Sequence, residues 1–274
     1  MTNKLRTSKQ TQEIFEALGQ SLGLQPYILS KLAIALSVKK GKIIGNQQET
    51  DNDGLELNAA KMYEIANQTK IHPKTASASI QDIYDFFIGY LKEGKEIVYA
   101  GIGGSLSCTL QNTHIVRDLI YDKHPEFEGK IHLVDSKNLS TGISLVLIKM
   151  CEARDKGLTG KEIAEIGENV VPRVRSQFCV ENLDYIHKGG RCSNSARFFG
   201  TLLSIKPMLK VEDGKLNVWK KSIGSFKKAL NIMITEFLSL FDKIDKSLVF
   251  ITHSEGDRYA QYIEEKIKDV KENI

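Results

Sequence analysis

Residues 96–109 read EIVYAGIGGSLSCT. The first seven, 96–102, are an apolar run of strand length, and 103–109 are small and hydroxyl-bearing. Ile115, Leu119 and Ile120 then recur at helical spacing. A buried strand passing through a glycine turn into a helix is the unit from which parallel sheets with helices on both faces are built. Upstream, helix signals cover 59–67 and 79–93, the latter with Ser79 and Asp82 spaced as a partial capping box. Downstream, KIHLVD (130–135) reads as a second buried strand, and an apolar helix through Ile143, Leu147 and Met150 runs to Gly157. The expected fold class is α/β, with a mostly parallel sheet in this section.

A second section opens near 177. Strand QFCVEN (177–182) leads to YIHKGGR (185–191), a Ser193-capped helix, and then IKPMLKV and KLNVWKK, joined through the hairpin signal Asp213–Gly214. Helix 222–241, strand SLVFITH (247–253) and helix 256–270 complete it. Ahead of residue 59 the pattern predicts a small helical head. One helix carries Ile14, Phe15, Leu18 and Leu22. A second opens at Pro26 and continues through Leu29, Leu32, Ala33 and Leu36 to Lys39–Gly41, before the polar loop GNQQETDNDG (45–54). The expected division is 1–58, 59–176 and 177–274.

A hydrophobic share of 41% and a charged share of 26% over 274 residues exclude a disordered chain or a disulfide mini-protein. No apolar run nears the ~20 residues of a membrane helix, and the start lacks a signal-peptide pattern, so no integral membrane segment is expected. Cys108, Cys151, Cys179 and Cys192 are scattered, which suits free thiols in a reducing cytoplasm; the histidines form no metal-ligand motif, so no metal is expected. Within residues 1–45, seven basic residues (Lys4, Arg6, Lys9, Lys31, Lys39, Lys40, Lys42) face only Glu13 and Glu16, so the whole formal excess of +4 resides in the head. Such a head reads as a solvated face or a nucleic-acid contact.

The turn at 103–109 brings backbone N–H groups to a helix N-terminus, an arrangement suited to phosphate or carboxylate, and Ser105, Ser107 and Thr109 add hydroxyls. A plain capped turn gives the same pattern. It is not a dinucleotide fingerprint, because Leu106 stands where a third small residue is needed. Ser105, Asp135 and His253 follow the chain order of an α/β-hydrolase triad, though Ser107 replaces the second glycine of the nucleophile elbow. In 185–191, Lys188 and Arg191 flank a Gly-Gly stop where a guanidinium can clamp a carboxylate, or simply face solvent. In His72-Pro73-Lys74-Thr75, Thr75 offers a single hydroxyl.

Taken together, PKTAS, IGGSLSCT, LVDSKNLSTGIS and FCVENLDYIHKGGRCSNSARFFGTLLSIKPMLKVEDGKL resemble the DegV family, over about residues 59–274. The resemblance implies a two-domain fold that binds a long-chain fatty acid without transforming it. The carboxylate would sit at the cleft, the acyl tail in an apolar tunnel, and the lipid would be presented to a fatty acid kinase that makes the acyl phosphate. No cofactor is implied beyond the lipid as ligand. By the same resemblance Thr75, Gly103, Gly104, Ser105 and Arg191 hold the carboxylate. The family turn, Ser-Ser-x-Leu-Ser-Gly-Thr, lacks both leading serines here, so the N–H groups of Gly103 and Gly104 are expected to stand in for them. Ala76 replaces the serine that usually follows the threonine, and Ile223 stands where a basic residue is common.

The family's opening strands, with their Asp-Ser pair, are expected to be missing before residue 59. So is its closing Ser-His-x-Gly-Pro-Gly segment, for which His253 is no substitute. Residues 4–57 resemble DndE, a helical component of the DNA phosphorothioation system, which implies a DNA contact through residues 1–45. The weakened headgroup clamp predicts lipid association with poor presentation to the kinase. Two other roles remain open: a DndE-like DNA-modification accessory, and a serine hydrolase using Ser105.

Overall fold

Strand β2 (Glu96–Gly101) lies between β1 (Ile34–Val38) and β3 (Ile131–Asp135) in a three-stranded sheet. These come from a computed structural model that describes residues 34–38 (backbone), 68, 76–181, 183, 186–187, 189–192, 205–245, 248–254 and 256–272. β2 and β3 run parallel, with Ile97 beside Ile131 and Gly101 beside Asp135. The helices that follow them are α2 (Thr109–Lys123) and α3 (Thr141–Asp155); α1 (Ile80–Lys92) precedes β2, and α4 (Gly160–Val170) follows α3.

The strand period of two distributes β2 between two cores. Val98 and Ala100 pack with Ile143, Leu147, Met150 and Ile163 of α3 and α4, while Ile97 and Tyr99 pack with Phe87, Leu91, Val116 and Ile120 of α1 and α2. Both faces of the sheet are therefore covered, as its unbroken apolar run requires. Local signals set the helix starts. The Ser79 hydroxyl accepts from the Asp82 N–H (3.1 Å), and Thr159 and Glu162 cap α4 reciprocally. Gly157, at φ 82°, follows the end of α3.

The second lobe is an antiparallel sheet of β4 (Gln177–Cys179), β5 (Ile205–Glu212) and β6 (Lys215–Ile223), followed by α5 (Phe226–Ser239) and α6 (Asp257–Glu272). Asp213 (φ 49°) and Gly214 (φ 75°) are both left-handed, the backbone a two-residue hairpin turn needs. One sheet face carries Met208 against Ala229 and Met233 of α5. The other carries Leu209, Val211 and Leu216, and Leu106 of the first lobe's glycine turn packs among them.

Two expectations are corrected. Residues 34–38 form a strand, not the end of a helix, and pair antiparallel with β2, Ile34 opposite Ala100. The segment IALSV fits both a helical stripe and a short buried strand, and the open edge of β2 decides for the strand. A strand thus does precede residue 59, and it belongs to the sheet of the first lobe. Conversely, 248–253 are not a strand; among the described strands none runs beside them, and an apolar run without a ladder partner forms no strand. The remaining head residues, helix 59–67 and the Ser193-capped helix lie outside the described residues, save Gln68, which is helical.

Candidate functional site

The loops leaving the carboxyl ends of β2 and β3 are stitched together. The Gly103 N–H donates to the Asn138 carbonyl (2.8 Å), and the Gly104 N–H to Asp135 Oδ1 (3.2 Å). The same Oδ1 accepts from the Lys137 N–H (2.9 Å). Ser136 Oγ donates to the Gly101 carbonyl and accepts from the Asn138 N–H. The Leu106 and Ser107 N–H groups turn back onto the Gly103 carbonyl. Gly103 suits the close approach, since a Cβ there would meet the backbone of Lys137 and Asn138 at a tight 3.1 Å.

The expected headgroup residues fare differently. The N–H groups of Gly103 and Gly104, expected to face the ligand, both bond to the β3–α3 loop in this structure, one to the Asn138 carbonyl and the other to the Asp135 carboxylate. Ser105 is exposed, and its hydroxyl forms no hydrogen bond among the described residues. Arg191 is brought to the same turn across 85 positions of sequence, its Nε–H donating to the Leu106 carbonyl (3.4 Å). An Nη1–H donates to the Gly189 carbonyl. Ser105 and Arg191 therefore flank Leu106 on one rim. Thr75 and Lys188 lie outside the described residues.

Sequence reasoning missed three contributors. The hairpin turn of the second lobe abuts the rim: a Cβ on Gly214 would come 3.4 Å from Ser105 Oγ and 3.5 Å from Lys137 Cβ. Lys137 and Ser140 hold left-handed backbone (φ 47° and 49°) although neither is glycine. Tyr99 is 1% exposed and its hydroxyl has no hydrogen-bond partner among the described residues. Burial, and then the negative charge of Asp135, push that phenol well above its ordinary pKa, so it stays protonated. Only the position of Asp135 at a strand end hinted at its part.

The hydrolase triad is not assembled. Asp135 is engaged by Gly104 and Lys137, whereas His253 Nδ1 accepts from the Gly256 N–H (3.2 Å) and Nε2 lies 4.0 Å from Asp257. His253 is turned to its own loop, and Asp135 to the amides of Gly104 and Lys137. Among the described residues no group of three or more His, Cys, Asp or Glu is placed to hold a metal, and no helix is long and apolar enough to cross a membrane. A separate cleft of about 440 Å³ opens at the surface between α5 and α6, lined by Phe226, Lys227, Arg258, Tyr259 and Tyr262.

The family described as "Uncharacterised protein, DegV family" matches residues 36–274. A DegV domain-containing protein of Clostridium acetobutylicum is 30% identical over 211 residues, covering 77% of this chain and 72% of the relative. Among solved structures, a DegV family protein from Ruminococcus gnavus, refined with vaccenic acid, superposes with TM-score 0.66 at 22% identity, covering 86% of this chain and 80% of its own. The B3 protein of the Streptococcus pneumoniae fatty acid kinase, loaded with linoleic acid, gives TM-score 0.65 at 22% identity, with 86% and 79% covered. These likenesses establish the α/β fold. The match beginning at residue 36 falls inside the segment that resembles DndE, and nothing in these matches supports that resemblance or a DNA contact.

Proposed function

The chain belongs to the DegV family, and from that membership we propose that it binds a long-chain fatty acid between its two lobes, without chemistry of its own, and offers the carboxylate to a fatty acid kinase. One observation carries this reading. The glycine turn meets the second sheet through an apolar cluster of Leu106, Leu209, Val211 and Leu216, with Ile102 and Leu139 packed against it, and polar groups stand at its rim. Apolar side chains of both lobes thus meet beside polar ones, the pairing of surfaces that an acyl chain with an acidic end requires. Relatives of the same fold that carry vaccenic and linoleic acids support the choice of ligand.

The carboxylate is assigned to the Ser105 hydroxyl and the Arg191 guanidinium, with Thr75 as a third contact. The amides of Gly103 and Gly104 are already bound and shape the turn instead. Each methylene buried contributes ~0.8 kcal/mol, so a long tail sustains binding although the headgroup clamp is thin. The free cysteines support a cytoplasmic setting. The test is native mass spectrometry of the purified protein, followed by palmitate titration after delipidation. One fatty acid per chain is expected; a lipid-free protein that also fails to take up palmitate refutes the reading.

A further inference from the structure

Lys137 sits where glycine would be cheaper. At φ 47° a residue with a side chain carries a backbone penalty of roughly 1–2 kcal/mol. Such a residue persists where its surroundings over-determine it, which happens most at ligand clamps. Here the Lys137 N–H is held by Asp135 Oδ1 and the next N–H by Ser136 Oγ, so the loop would keep its shape with glycine in place. What glycine could not supply is the ammonium.

That ammonium is exposed and makes no ion pair or hydrogen bond among the described residues, and its Cβ stands with Ser105 Oγ around Gly214. Arg191 reaches the carbonyl of the next residue, Leu106. The rim thus gathers two cations and an open hydroxyl. Its resident anion, Asp135, is bound to two backbone amides. A fatty acid carboxylate carries one negative charge, which Arg191 alone balances. The second cation fits a larger and more anionic headgroup.

We propose that Lys137 and Ser105 form a subsite for the phosphoryl group of the acyl phosphate, holding the product on this chain after transfer. The inference rests on the fatty-acid reading above. In the transfer, a carboxylate oxygen attacks the terminal phosphorus of a nucleoside triphosphate held by the kinase. The bond from that phosphorus to the bridging oxygen breaks, and the nucleoside diphosphate leaves with the electron pair. The headgroup gains a tetrahedral phosphoryl group and extra negative charge, which an ammonium on a flexible stem can follow outward.

The experiment compares palmitate with hexadecylphosphonate, a stable stand-in for the phosphorylated headgroup, on delipidated protein by calorimetry. Wild type is expected to bind both. Lys137→Gln keeps palmitate affinity within about twofold and loses hexadecylphosphonate affinity about fivefold, the size of one exposed charge contact. Lys137→Arg retains both. Lys137→Gly shows the same phosphonate defect while gaining thermal stability, a combination that a purely structural lysine would not give. Equal losses for both ligands, or for neither, overturn the subsite, as does a wild type that takes palmitate and refuses the phosphonate. A wild type that binds neither ligand overturns the fatty-acid reading and the subsite with it.

Discussion

Tyr99→Phe removes a single oxygen from the middle of β2 and should make the protein more stable. The ring is 1% exposed and packs edge-on against Phe87, with centroids 6.5 Å apart and planes at 62°. Phenylalanine keeps that contact. The hydroxyl itself is buried with no hydrogen-bond partner among the described residues, and Asp135, whose charge reaches it, already takes two amide hydrogens. A buried polar group left unpaired costs about 1–3 kcal/mol. Against this stands the void left by one atom, smaller than a methylene, so the net gain is about 0.5–2 kcal/mol. For a chain of this size that raises Tm by roughly 2–4 °C per kcal/mol. Urea unfolding of delipidated protein is the assay, followed by far-UV circular dichroism. Fluorescence serves as a control, because the single tryptophan, Trp219, lies in β6 and reports on the second lobe. If the lobes unfold separately, only the circular dichroism transition should move. A midpoint lowered by the equivalent of 1 kcal/mol or more in delipidated protein would show that the hydroxyl is bonded in the native state, and would refute the reasoning.

His132, partly buried on β3, has its pKa pushed below the usual value by desolvation, with Glu96 opposing the shift. The folded state then holds fewer protons than the unfolded between the lowered pKa and ~6.5, so stability is full above that window and falls as pH drops through it. Urea midpoints across pH 5–7.5 should slope accordingly and flatten in His132→Asn; an unchanged slope in the variant removes His132 as the cause. Thr159→Ala breaks the capping box of α4, in which Thr159 Oγ1 accepts from the Glu162 N–H and the Thr159 N–H donates to Glu162 Oε2 (2.8 Å). The loss should be about 1 kcal/mol by chemical denaturation, and a cost near zero would mean solvent caps the helix equally well. Burial pushes the Cys151 and Cys179 thiols up to about 11 and about 12, while Cys108 is exposed. A thiol reagent at pH 8 should therefore modify Cys108 in the native protein and reach Cys151 and Cys179 only after denaturant, as peptide mapping can check.

What the sequence made legible was decided locally. The apolar run 96–101, the Ser79 cap, the Gly157 stop and the Asp213–Gly214 turn each appear where neighbouring residues place them, because capping and left-handed φ depend on a few adjacent side chains. The two misread segments depended on distant ones. Residues 34–38 became a strand because β2 offered an edge some 60 positions away in sequence, and 248–253 remained irregular with no such edge beside them. The site divides the same way. The glycine turn between strand and helix was readable as a turn, and the fold brings Arg191 to the carbonyl beside Ser105, two residues that the resemblance had singled out. Asp135 on the Gly104 amide, Gly214 against Ser105 and the unpartnered Tyr99 hydroxyl were not legible, since each is created by the meeting of segments far apart in the chain.

The two glycines at 103 and 104 do more than omit a pair of hydroxyls. A Cβ at 103 would meet the backbone of Lys137 and Asn138 at 3.1 Å, so with a side chain there the β3–α3 loop would have to back away by a few tenths of an ångström. The close approach lets the Gly103 N–H reach the Asn138 carbonyl and draws the Asp135 carboxylate onto the Gly104 N–H. Both amides are consumed by the loop, and a negative charge is fixed beneath the turn. On the proposed reading, Asp135 would keep an incoming carboxylate off the turn amides, and Ser105 and Arg191 would take it at the rim. The two glycines thus let the β3–α3 loop close onto the turn, and Lys137, at positive φ, lies in the loop so placed. Serine at 103 would therefore shift the loop by a few tenths of an ångström as it adds its hydroxyl. The two loops form one coupled unit, and on the proposed reading their spacing would set the headgroup chemistry as much as the side chains on the turn do.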